Sequence, residues 1–163
     1  MTCSDPYVLA VPRGLDLAHV TDPAAQLRAD EQRILNSVVQ FTFGSAYQLR
    51  ISGWYQQFLP RHHVVGRVRS YELALAMVQA GRGVAIVPAL SARVSAASGY
   101  DVTLYDIGME QRRVVALMPP QYRGAEPQAT FIAALRAAGA AIRPPPVEPA
   151  PPFLRGESSG FAP

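Results

Sequence analysis

The run Val68-Arg-Ser-Tyr-Glu-Leu-Ala-Leu-Ala-Met-Val-Gln-Ala-Gly-Arg-Gly-Val-Ala-Ile-Val-Pro-Ala-Leu90 constrains the fold more than any other part of the chain. It contains the end of a strand, a capped helix, a glycine turn and a second strand. "VVGRVR", 64–69, reads as the first strand, with Val65, Arg67 and Arg69 on one face and Val64, Gly66 and Val68 on the other. Ser70 is placed to cap the following helix, and Glu72 in its first turn suits the positive end of the helix dipole. Leu73, Met77 and Ala80 share one helical face, with Ala74 beside it. Gly81 stands where a helix C-terminus wants a left-handed residue, and Gly83 relieves the tight entry into "VAIVP", 84–88. Strand, helix and strand in so short a span predict parallel strands joined by a right-handed crossover.

The flanking segments extend the pattern. "YVLAVP", 7–12, reads as a buried strand, and Asp22-Pro23 opens a helix over about 23–34. "VVQFTF", 38–43, is a second strand. Ser45 with Gln48 three residues on forms a capping box, and Tyr47, Ile51, Trp54 and Phe58 follow on one helical face before Pro60. That aromatic stripe predicts core packing first. A short helix over about 89–95 and strands at 102–107 and 113–119 follow. Glu126-Pro127 then opens a helix with Phe131, Ile132 and Leu135 inward, closing at Gly139. From Arg143 to Pro163 one residue in three is proline with no apolar period, which predicts a disordered tail.

Composition narrows the function classes. The 163 residues suit one domain, and 49% hydrophobic residues can bury a core. The chain has no Lys, its formal charge is +3 and its arginines are scattered, which argues against a nucleic-acid-binding face. Cys3 is the one cysteine, so no internal disulfide forms, and it is expected in an N-terminal tail. The N-terminus has no signal-peptide pattern and no apolar run reaches the roughly 20 residues of a membrane span, so a soluble, cytoplasmic chain is expected.

No catalytic constellation emerges. There is no nucleophile elbow after a strand, and "GRG" enters a strand where a dinucleotide fingerprint would open a helix. His62 and His63 point to opposite sides of an extended chain and lack Cys or Asp companions, so no metal is expected. Asp101, Asp106 and Glu110 follow no pattern and read as solvated turn residues. What recurs is a strand ending at a helix N-terminus with a small polar residue, at Gly44-Ser45 and at Arg69-Ser70. Free backbone N–H groups and the helix dipole favour an anion there, beyond the carboxyl ends of parallel strands. Both serines equally satisfy a purely structural capping role.

The segment Val78, Ala80, Gly81, Gly83, Val84, Ala85 and Pro88 resembles the central signature of the effector-binding domain of LysR-type transcriptional regulators. "YVLAVPRGLDLA", "FGSAYQLRISGWYQQF" and "RRVVALMPPQYRGAEPQATFIAALRAAG" resemble the family's neighbouring segments in the same order, so the likeness spans about 7–139. It implies an α/β, type 2 periplasmic-binding-protein-like fold. Residues 1–142 would be a partial, N-terminally truncated effector-binding domain, with about 13–106 forming one lobe and 113–139 returning to the other. It implies a small, anionic, carboxylate-like effector held by Gly44, Ser45, Ala46, Tyr47, Arg69 and Ser70, with no cofactor. It also implies a homo-oligomer that meets DNA only through a helix-turn-helix this chain does not contain. A stand-alone solute-binding domain of the same fold is the alternative expectation.

Overall fold

Six consecutive apolar residues with no polar alternation predict a strand covered on both faces. The computed structural model builds Tyr7–Pro12 in that way, with every residue buried. The structure describes residues 2–42, 46–93, 99–122 and 124–155. Its elements are β1 (Thr2–Asp5), β2 (Tyr7–Pro12), α1 (Pro23–Gln26), α2 (Ala29–Asn36), β3 (Ser37–Phe41), α3 (Ala46–Phe58), β4 (His63–Val68), α4 (Tyr71–Gln79), β5 (Ala85–Pro88), β6 (Val102–Asp106), β7 (Arg112–Val115), α5 (Gln128–Ala141) and α6 (Pro152–Arg155).

β2 pairs antiparallel with β5 on one side and β6 on the other, in register Leu9↔Ile86 and Leu9↔Tyr105. β3 and β4 pair in parallel, and a parallel bridge Val38↔Val84 joins β3 to the entry of β5. The resulting order is β4-β3-β5-β2-β6, with β2 running against its neighbours. The period of two along each strand then divides the core. Tyr7, Leu9, Val11, Val38, Ile86 and Tyr105 pack on the face covered by Ile51, Trp54 and Tyr55 of α3. Val8, Ala10, Val39, Val87 and Leu104 pack on the other, under Ala74, Leu75 and Val78 of α4. β4 and β5 therefore run parallel and are joined through α4, although they flank β3 and do not pair with one another.

Two glycines have distinct tasks. Gly81 has φ +70° and ends α4: its N–H donates to Val78 O (2.8 Å), while Arg82 N–H donates to Met77 O (3.0 Å). Those two bonds form a Schellman cap. Gly83 is a matter of space, since a Cβ built there would lie 2.2 Å from the Ser37 carbonyl oxygen. The close approach is what lets Val84 N–H reach Ser37 O at 2.8 Å and Val39 N–H reach Val84 O at 2.9 Å. Beyond that bridge β5 departs from β3, and the Tyr55 hydroxyl accepts the Ile86 N–H at 2.9 Å. Burial pushes the Tyr55 phenol above its ordinary range, so it stays a neutral hydroxyl.

Several expectations need correction. The helix expected over 23–34 is two, because the chain is extended at Leu27 and Arg28. Asp22 caps α1 by accepting from Ala24 N–H (2.9 Å), and the Glu31 carboxylate restarts the chain as α2 by accepting from Arg28 N–H (2.9 Å). Pairing with Arg28 also holds the Glu31 carboxyl below the usual range. In α4 the buried face is Ala74, Leu75 and Val78, while Leu73 is 53% exposed. Almost every residue of that helix is apolar, so its periodicity cannot mark the face. Cys3 belongs to β1, paired with Val114 of β7, and is not in a loose tail. The short helix after β5 is a 3-10 turn, Ala89–Ala92.

Phe131 and Leu135 of α5, expected inward, are 62% and 38% exposed. Neither residue belongs to either core cluster. The tail from Arg143 also departs from disorder over its described part. Glu148 N–H donates to Leu104 O (2.7 Å) and Asp106 N–H donates to Glu148 O (2.9 Å), so the segment runs beside β6. Phe153 N–H donates to Val20 O (3.0 Å), and Leu154 of α6 is buried in the α3-side core.

Candidate functional site

The edge of the sheet where β3, β4 and β5 end is also where β2 begins. Thr42 stitches two of these strand ends together: its backbone N–H donates to Val68 O (2.8 Å) and its hydroxyl donates to the same carbonyl (3.2 Å). The carboxyl ends of β3 and β4 therefore lie side by side. α3 leaves one face of the sheet and α4 the other. Phe41 and Tyr71 stack across the junction, with centroids 4.1 Å apart and planes 20° from parallel.

Ser70 is the N-cap of α4, its hydroxyl accepting from Leu73 N–H at 3.2 Å. That leaves the free N–H groups of the first turn directed past Ser70. Arg69 is exposed and has no ion-pair partner among the described residues. Gly44 and Ser45 lie outside the described residues. Ala46 and Tyr47 begin α3, and their helical backbone follows Thr42 after that short gap. Thr42, Phe41 and Tyr71 escaped the sequence reading. Thr42 sat inside an apparent strand, and the stacked rings are far apart in the chain.

A buried carboxylate joins this edge to the ribbon. Asp5 is fully buried; its Oδ1 accepts from Leu90 N–H (3.0 Å) and its Oδ2 from Arg112 Nη2 (2.6 Å). Leu90 follows β5, and Arg112 begins β7. Asp5 thus holds the end of the central sheet and the start of the ribbon at once. No pattern in the sequence pointed to it, because an acidic residue before a proline reads as a turn.

Among the described residues there is no group of His, Cys, Asp and Glu able to hold a metal ion, and no helix long and apolar enough to cross a membrane. Five strands with one running against the rest, helices on both faces and a second, smaller sheet joined at a two-chain crossing define a type 2 periplasmic-binding-protein-like α/β fold. The chain belongs to the LysR substrate binding domain family, which matches residues 2–140.

Solved structures agree on the fold. The regulatory domain of CcmR from Synechocystis PCC6803, in complex with 2-PG, aligns with TM-score 0.55 and 16% identity over 91% of this chain and 66% of that one. A putative LysR family transcriptional regulator from Pseudomonas aeruginosa aligns with TM-score 0.50 and 12% identity over 85% of this chain and 48% of that one. The chain thus spans less than two thirds of the length of either neighbour. A search of curated proteins gave no match.

Proposed function

We propose that this chain is the effector-sensing part of a cytoplasmic LysR-type transcriptional regulator. Residues 13–106 act as one lobe and 113–139 as part of the other. The effector is a small anion, most simply a carboxylate, bound at the carboxyl edge of the central sheet. Backbone donors of the segment Gly44, Ser45, Ala46 and Tyr47 and the α4 N-terminus at Ser70 receive it, and Arg69 supplies charge. Contact with DNA runs through a helix-turn-helix supplied outside the 163 residues, in a homo-oligomer.

The observation that supports this reading is the pair of hydrogen bonds from Thr42 to the Val68 carbonyl, which ties the carboxyl ends of β3 and β4 together. The CcmR regulatory domain with 2-PG supports a small ligand for this fold. Isothermal titration with a panel of short hydroxy- and phospho-carboxylates tests it. Arg69→Gln should weaken any binder roughly tenfold by removing a charge-assisted contact. Ser70→Ala should weaken it less while lowering stability by about 1 kcal/mol through the lost cap. Affinities unchanged in both variants would place the ligand elsewhere.

A further inference from the structure

At the other end of β4, the amino ends of β3 and β4 and the carboxyl end of α4 enclose an open groove of about 710 Å³. From strand rise alone it lies roughly 17 Å from Arg69. Its apolar lining comes from Ile34, Val65 and Met77, its polar lining from Arg33, His63 and Arg82, and no carboxylate among the described residues lines it. Neither guanidinium has an ion-pair partner among the described residues, whereas Arg13, Arg28 and Arg112 each meet an acid.

Local hydrogen bonding fixes the backbones that present these cations. Ser37 Oγ donates to the Arg33 carbonyl (2.8 Å) at the end of α2, and the α4 cap pins Arg82 through its N–H to Met77 O (3.0 Å). Ser37 has then spent its proton, so its 3.4 Å contact with His63 is made by Nε2–H as donor. Ser37 and His63 satisfy each other there, and the guanidiniums remain as open donors. A cleft lined by one sign of charge concentrates the opposite sign. A guanidinium fork matches a carboxylate, and an apolar lining covers a hydrocarbon body.

We propose that this groove is a second ligand site, selective for a monocarboxylate with an apolar body and separate from the cleft edge. The proposal does not depend on the effector reading above. A second copy of the chain is the poorer occupant. A two-fold axis passing through the groove would set the patch against itself and bring Arg33 and Arg82 of both copies together.

The test is titration of the chain, carrying 13C-methyl methionine, with acetate, hexanoate and hexanol. Met77 lines the groove, while Met109 and Met118 serve as references. Hexanoate should move the Met77 resonance saturably, at concentrations roughly tenfold below acetate. Hexanol should leave it in place, a comparison that needs no variant. The double variant Arg33→Gln/Arg82→Gln should lose hexanoate affinity roughly tenfold or more. Arg69→Gln should bind hexanoate like the parent chain. A Met77 signal that ignores hexanoate, follows hexanol equally, or survives the double arginine change would overturn the proposal. So would a shift that tracks protein concentration alone, which would assign the groove to a second copy.

Discussion

Gly83 shows how much one missing side chain can decide. Its hydrogen stands where any Cβ would meet the Ser37 carbonyl at 2.2 Å, and that carbonyl accepts the Val84 N–H joining β3 to β5. An alanine must push the strands apart at the centre of a buried sheet. Gly83→Ala should therefore cost about 3 kcal/mol or more in urea unfolding. Gly14→Ala, with open space around the glycine, should stay within about 1 kcal/mol. A cost for Gly83→Ala no larger than for Gly14→Ala would mean that the strand approach is looser than described. The sequence announced both Gly83 and Ser70, because turn and cap chemistry is local. It was silent on Tyr55, which is buried because Ile86 N–H needs an acceptor where β5 leaves β3, a demand arising 31 residues away.

Elements were legible in proportion to how near their neighbours lie in the sequence. The order of strands and helices from Tyr7 to Asp106 follows from period and punctuation. The buried face of α4 does not, because Leu73 and Leu75 are equally apolar and only the position of the sheet separates them. The C-terminal segment was misjudged for a different reason. Proline-rich composition argues against regular structure, yet an extended segment needs only a few free groups to pair with a sheet edge. Glu148 provides both its N–H and its carbonyl to β6, and the prolines around it face no ladder partner. The segment then places Leu154 in the α3-side core. Leu154→Ala should cost about 2–3 kcal/mol in thermal or urea unfolding, the scale of a buried leucine truncation. A variant that melts like the parent would return the segment to the disordered tail its composition suggests.

At the scale of the molecule, family membership and fold were readable because the glycine signature lies in the central sheet and most local signals agree there. The exposure of α5 was harder to foresee, since its apolar stripe, Phe131 and Leu135 included, speaks of burial. One buried joint holds the β1–β7 ribbon to the central sheet. Asp5 takes one donor from the residue after β5 and one from the first residue of β7. An ion pair with one partner fully buried contributes more through the damage done by breaking it than through its net formation. Asp5→Asn keeps an oxygen for Leu90 N–H and removes the charge that binds Arg112. The β1 and β7 amides should then exchange with solvent at an opening free energy lower by about 2 kcal/mol. The β2 and β5 amides should keep their protection, because their partners lie within the central sheet. Hydrogen exchange resolved by residue separates these outcomes. Equal loss in both sheets would make Asp5 a support of the whole core. Loss confined to the ribbon would identify Asp5 as the support of the ribbon alone.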